Sequence, residues 1–352
     1  MFENMETIDR EIERTSRRFT RVFLMVVGLG LATSGTVSLL VDPFGVFGTG
    51  GLVPSDVVND REVKPKLFLK TNPSPLAIIL GSSAVGKIKP ACVTELTGLP
   101  TFNFGVPSGN VDDWDAILKF ISDRGHAPIR ELLIGLEVDA FDNHSSHQLE
   151  LSRYLRDYTS NPGLSWAEVT RGLFGEQAFL HSLYLIWTSL RPVGEPDYIA
   201  PDGFRVEPQR EKSLQNGTYR VEKARATTYQ LQKFKRRASD RFDQLNPMRV
   251  KLFQDILRTA RAKAITVDVF VPPMSQAMAT ARSFSQIPQR TTELERLLEQ
   301  LERAGLLRYH RYEEFQDLAI DPDAIFDGVH LTEATSSRVL LRVFHREHGC
   351  GL

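Results

Sequence analysis

Between Val22 and Val41 the chain carries no charged side chain. As a helix rising about 1.5 Å per residue, such a run reaches about 30 Å, the thickness of a bilayer's hydrocarbon core. This stretch leaves three outcomes: a membrane anchor, a cleaved signal peptide, or the buried helix of a soluble fold. The run is long for a signal sequence, and no small-x-small cleavage site follows it. Residues 1–21 are charged, with Arg10, Arg14, Arg17, Arg18 and Arg21 set among acidic residues, and suit a short cytoplasmic helix. Arginines gathered on one flank mark the cytoplasmic side. The expectation is a single-pass anchor over 22–41, with everything after Asp42 outside the cytoplasm.

The chain has 352 residues and a net charge of -1, so charge argues for no nucleic-acid partner. Cys92 and Cys350 lack metal-ligand spacing, and a bridge between them is open if the compartment is oxidising. His144 and His147 stand three apart beside Asp142 without a third strong ligand nearby, so a polar loop is expected there. No metal and no cofactor are expected.

Downstream, apolar runs alternate with amphipathic segments. Strands are expected at Leu76–Leu80, Thr101–Gly105, Glu131–Val138, Ile265–Val271 and Leu307–Tyr312. Helices are expected at Ile88–Leu96, Asp112–Arg124, Pro247–Ala262, Thr291–Ala304 and Thr332–His345, the last capped by Thr332. Strands alternating with helices imply an α/β fold of three layers, a mostly parallel sheet with helices on both faces. Residues 42–75 read as an irregular lead-in with a short strand or helix at Lys64–Lys70, and the domain proper as 76–352. Residues 142–245 break the rhythm and read as an insertion capping the sheet. It would hold one or two helices in Ser165–Leu190, a small hairpin in Tyr198–Tyr219 and a basic helix at Ala224–Phe242.

The first strand runs straight into Gly81-Ser82-Ser83, which delivers a serine to the sheet's carboxyl edge, where ligands collect in open α/β sheets. Far downstream stands Asp327-Gly-Val-His330. Alone, the first block is an N-capped turn and the second a turn with a surface histidine. Together they supply a nucleophile, a base and a carboxylate to orient the base.

The order of these blocks resembles the SGNH hydrolase superfamily, the GDSL-type esterases and acyltransferases. The matching residues are Gly81-Ser82-Ser83, then Asn103-Phe-Gly105 with Ser108-Gly109-Asn110, and Asp327-Gly-Val-His330, over roughly residues 76–140 and 247–345. The resemblance implies Ser83 as nucleophile, His330 as base and Asp327 as its partner, with Ser82 in the place of the family's aspartate. It also implies an oxyanion site built from the N–H groups of Ser83 and Gly109 and the side chain of Asn110 or Asn143, with Ser82 and Gly105 beside it. The family's third block, Gly-x-Asn-Asp, is missing: Leu133–Phe141 contains no asparagine before Asn143.

More narrowly, the chain is similar to membrane-anchored SGNH proteins of bacterial envelopes, such as alginate O-acetyltransferases and teichoic-acid D-alanylation proteins. That likeness implies an inner-membrane protein with a periplasmic domain. It also implies acyl transfer, acetyl foremost, on a cell-envelope polysaccharide, often beside a multi-pass membrane acyltransferase. A non-catalytic envelope scaffold and a lipid-directed esterase are the other readings.

Overall fold

The structure, a computed structural model, describes residues 2–49, 59–143, 149, 152–159, 166–190, 197–237, 242–321 and 323–351. His144 and His147 lie outside the described residues. The chain divides into two compact units, one of residues 1–57 with 164–193, the other of 58–163 with 194–352. The boundary expected at 76 thus falls at 57/58, and the 142–245 block is shared between the units instead of forming one cap.

The larger unit is built on five parallel strands: β1 (Ala77–Gly81), β2 (Thr101–Asn103), β3 (Glu131–Gly135), β6 (Thr266–Phe270) and β7 (Arg308–His310). Their order, β2-β1-β3-β6-β7, places the reversal of winding between β1 and β3. This is the order of flavodoxin-like doubly wound sheets, whose ligand crevice opens at that reversal. Every residue of β1 and β3 is buried, as strands covered on both faces require.

The period of two sends alternate side chains into two separate cores. Ile78, Leu80, Leu132, Ile134, Val267 and Val269 meet apolar residues of α4 (Val111–Arg124), α9 (Pro247–Ala262) and α11 (Ile287–Arg303). Ile79, Leu133 and Phe270 face the other way, towards α3 (Pro90–Thr97) and α12 (Glu333–Val343). The three layers follow directly. β3 stops at Gly135, short of the expected Val138, because the chain turns into a 3₁₀ segment at Val138–Phe141.

The lead-in folds as α2 (Asp60–Phe68). From the 142–245 block this unit keeps the hairpin β4 (Tyr198–Ile199)–β5 (Arg205–Val206), α7 (Pro208–Asn216) and α8 (Tyr219–Arg237). Unpredicted from the sequence is α10 (Gln276–Ser283), whose small and polar residues give little apolar period. Ser275 caps it, accepting from the Met278 N–H at 3.3 Å. Thr332 caps α12 as expected, accepting from the Thr335 N–H. Cys92 in α3 is bridged to Cys350 across 258 residues, tying the C-terminal end to the sheet unit.

In the smaller unit, α1 (Phe2–Val41) contains a stretch, Glu13–Val41, long and apolar enough to cross a membrane. Ser165–Leu190 resolves into two helices, α5 (Trp166–Phe174) and α6 (Glu176–Leu190), broken at Gly175. At the end of α1, the Asp42 carboxylate accepts the N–H groups of Phe47 and Gly48, at 3.1 and 2.6 Å, and closes the Asp42-Pro-Phe-Gly turn.

Candidate active site

Ser83 opens a single 3₁₀ turn, Ser83–Val85, just past the carboxyl end of β1. Its Oγ lies 2.8 Å from Nε2 of His330, although 247 residues separate the two in sequence. The His330 Nδ1 lies 2.6 Å from Oδ2 of Asp327. The loop carrying both is drawn tight by Asp327 Oδ1, which accepts the N–H groups of Val329 and His330 at 3.3 and 3.0 Å. The Asp327 side chain is 6% exposed and that of His330 20%, so the base reaches solvent while its partner does not.

Burial pushes the Asp327 carboxyl up, but the His330 side chain, its charge and the two backbone N–H donors outweigh that and hold it down at about 2. The carboxylate is therefore ionised throughout the neutral range. With a carboxylate on Nδ1, the imidazole carries its proton there and presents a bare Nε2 to the serine.

The neighbouring residues divide differently from the expectation. Ser82 does not face the serine–histidine pair as a free group. Its Oγ accepts the Ala84 N–H at 3.1 Å and donates to the Glu137 carboxylate, so it caps the turn. Gly105 has no free donor either: its N–H goes to Oδ1 of Asn103 at 2.8 Å, and its carbonyl accepts from Lys64 Nζ. The Gly109 N–H is spent on the Val106 carbonyl at 2.9 Å. Gly109 serves packing instead, since a Cβ there would lie 2.4 Å from the Gly81 carbonyl oxygen. Asn143 is exposed and accepts from the Asn246 side chain at 3.1 Å, a pairing at the start of α9, and among the described residues no hydrogen bond joins it to the triad.

Two donors remain. Among the described residues no internal acceptor is found for the Ser83 N–H. Asn110 uses its side-chain oxygen to cap α4, accepting from Asp112 and Asp113 N–H groups at 3.0 and 3.2 Å, which leaves Nδ2 without a partner among the described residues.

Three groups at the site escaped the sequence reading. Glu137 follows Gly135 at the same offset as Ser83 follows Gly81, and these two glycines are paired in register. That offset was a legible signal; it also puts Glu137 where the Gly-x-Asn-Asp block has its asparagine. Arg282 Nη2 stands 3.9 Å from Glu137 and 3.0 Å from Asp139. Gln230 of α8 donates to Asp327 Oδ2 at 3.2 Å, and the sequence carries no sign of it. The α7–α8 pair grips the same loop elsewhere. Arg210 lies 3.8 Å over the Phe326 ring, and Lys223 meets Asp323 at 3.2 Å. Among the described residues, no group of three His, Cys, Asp or Glu side chains could hold a metal ion.

Beneath the 105–110 loop, α2 supplies buried charge. Lys64 is fully buried, bonded to the Gly105 carbonyl at 2.5 Å and 3.6 Å from Asp60. Burial lowers its ammonium to about 8 from the ordinary 10.5, against the attraction of Asp60. A base depressed in the fold binds its proton more tightly when unfolded. Stability therefore rises between about pH 8 and 10.5, by about 3 kcal/mol for this group, and is flat in it outside that window. Lys64→Met should remove that rise. Urea midpoints of the detergent-solubilised chain, measured for both proteins from pH 7.5 to 10.5, should show the wild type gaining on the mutant as pH increases. Parallel curves would contradict the assignment.

Compared with known proteins, the chain matches no family model and no curated protein.

Proposed function

We propose that the chain is a membrane-anchored serine acyltransferase or esterase of the SGNH type. It acts on O-acyl groups, acetyl foremost, of a cell-envelope polysaccharide through an acyl-serine intermediate. The observation that carries this reading is the continuous hydrogen-bonded line Ser83–His330–Asp327 at the carboxyl edge of β1.

In the first half-reaction Ser83 Oγ attacks the acyl carbonyl while its proton passes to His330 Nε2. The carbonyl oxygen becomes an oxyanion facing the Ser83 N–H and Asn110 Nδ2, the two unspent donors. The ester C–O bond then breaks, and His330 returns the proton to the departing alkoxide. In the second half a sugar hydroxyl, or water, loses its proton to His330 and attacks the acyl-serine. Ser83 leaves and recovers the proton. A sugar acceptor makes the reaction a transfer, and water makes it hydrolysis.

With the N–H groups of Gly105 and Gly109 spent and Glu137 in the asparagine's place, the oxyanion site is lean. Loss of one such donor costs roughly a hundred- to a thousandfold in rate. This favours a slow, specialised transferase over a vigorous hydrolase. The arginines in α1 ahead of its uncharged run support a cytoplasmic N-terminus. The Cys92–Cys350 bridge suits an oxidising compartment for the sheet unit. A multi-pass membrane acyltransferase is the partner such a transferase would draw its acyl group from.

The test is labelling of the solubilised full chain by a fluorophosphonate, alongside turnover of a chromogenic acetyl ester. Wild type and Ser82→Ala should label, and Ser83→Ala should not. Loss in Ser82→Ala alone would place the nucleophile one residue earlier. Folded wild type that neither labels nor turns over the ester would leave an envelope scaffold as the better reading.

A further inference from the structure

The two-helix segment α5–α6 is apolar on sides that should be polar in a segment facing water. In α6 Ala178, Ser182 and Leu185 form one buried stripe. On the opposite side Leu180, Leu183, Tyr184 and Trp187, at i, i+3, i+4 and i+7, are 42–55% exposed. No charged residue of α6 follows Glu176. Only a narrow flank of Gln177, His181 and Thr188 separates these faces on one side, and contiguous large apolar patches on a surface mark a membrane or a partner.

The segment packs where α1 ends. Phe174 fills the notch at Gly35, where a Cβ would lie 2.8 Å from its ring. Gly172 sits against Phe47, and the rings of His181 and Phe44 stack with centroids 5.7 Å apart. Gly35 precedes Val41 by six residues, or about 9 Å along the helix, so the contact falls inside the end of the span. From Glu13 to Thr33 every side chain of α1 is exposed, and burial begins only in its last two turns, at Gly35, Ser38 and Val41. The buried stripes on both helices are rich in small residues: Gly35 and Ser38 on one, Ala178 and Ser182 on the other. Helices meeting within lipid use such residues, because lipid supplies no hydrophobic drive and close approach must supply the attraction.

We infer that the α5–α6 segment is a second membrane-seated element. Its outward face, Leu180, Leu183, Tyr184 and Trp187, is covered by lipid of the leaflet through which α1 leaves the bilayer. The apolar surface of α1 and that of α5–α6 are then one continuous lipid-facing surface. Tyr184 and Trp187 have the amphipathic rings that settle at headgroup level. The 15 residues of α6 fall short of the ~20 needed to cross, and Arg171 and Glu176 are exposed, so the seat is interfacial and not a second span. This rests on the reading of α1 as a spanning anchor.

The test separates the two. Nitroxide labels are placed one at a time, in the full chain with its native disulfide, at Leu29→Cys in α1, Leu183→Cys and Trp187→Cys in α6, and Asp255→Cys on the sheet unit. In phosphatidylglycerol–phosphatidylethanolamine vesicles, collision with oxygen and with a water-soluble nickel chelate is compared. The labels at 29, 183 and 187 should favour oxygen about tenfold or more over the label at 255. Labels at 183 and 187 as open to nickel as 255, with 29 protected, would overturn the seat of α5–α6 and leave the anchor. A label at 29 open to nickel would overturn the anchor and the inference with it. Labels at 183 and 187 shielded from both reagents would overturn the inference by showing protein, not lipid, on that face.

Discussion

Asp327→Asn is expected to lower ester turnover by roughly 10⁴-fold in kcat while the protein still folds. The carboxylate accepts four hydrogen bonds: two backbone N–H groups on Oδ1, and on Oδ2 the His330 ring and Gln230. Asparagine has one acceptor oxygen. If that oxygen keeps the two backbone donors, its NH₂ faces His330 Nδ1 and the Gln230 amide, both of which donate in the wild type. The imidazole can then be satisfied only by accepting at Nδ1, which moves its proton to Nε2. A protonated Nε2 cannot take the proton of Ser83 Oγ, 2.8 Å away. The measurement is kcat and kcat/KM on an acetyl ester, with near-ultraviolet dichroism confirming the fold. Activity within tenfold of wild type would show that Asp327 does not orient the base. Gln230→Ala removes one of the four donors without reversing a proton, so its effect should be far smaller.

The second large effect concerns stability. Asp113→Ala should cost about 3–5 kcal/mol, because it breaks a buried, bidentate ion pair from one side. Asp113 meets Arg61 Nε at 2.6 Å and Nη2 at 2.8 Å, and the two side chains are 0% and 2% exposed. The same carboxylate accepts the Asn110 N–H at 3.1 Å, closing a capping box at the start of α4. Asn110 also carries one of the two unspent oxyanion donors, so the change should disturb catalysis beyond its effect on folding. Urea unfolding in detergent, followed through Trp114 one residue along and 1% exposed, gives the stability. The double exchange Arg61→Met with Asp113→Leu should recover most of the loss, since paired apolar replacement of a buried ion pair is often neutral. If it is as unstable as Asp113→Ala, the cost lies in the lost cap and not in the broken ion pair.

The strands were legible because parallel strands covered on both faces must be apolar throughout, and short apolar runs ending in glycine are visible in one dimension. Ala77–Gly81 and Glu131–Gly135 carry that mark, and Thr266–Phe270 shows a β-branched run without the glycine. α10 lacks any such mark and went unseen. Ser83, Asp327 and His330 could be named from their blocks, but their donors could not. Whether the N–H of Gly105 or Gly109 is available depends on where Asn103 Oδ1 and the Val106 carbonyl point after folding.

The sequence by itself determined what depends on neighbours along the chain. These are the uncharged run of 22–41, the strand and helix periods, the Thr332 cap and the small residues before the serine. Tertiary structure alone decided what depends on the path between distant segments. It brought residues 83 and 330 within a hydrogen bond, set Glu137 beside Ser82, laid Gln230 on Asp327, and gave residues 164–193 to the N-terminal helix rather than to the sheet. The reason is range. Propensity and period act over a turn or two, whereas a single hydrogen bond across hundreds of residues is chosen only when the whole sheet has closed around it.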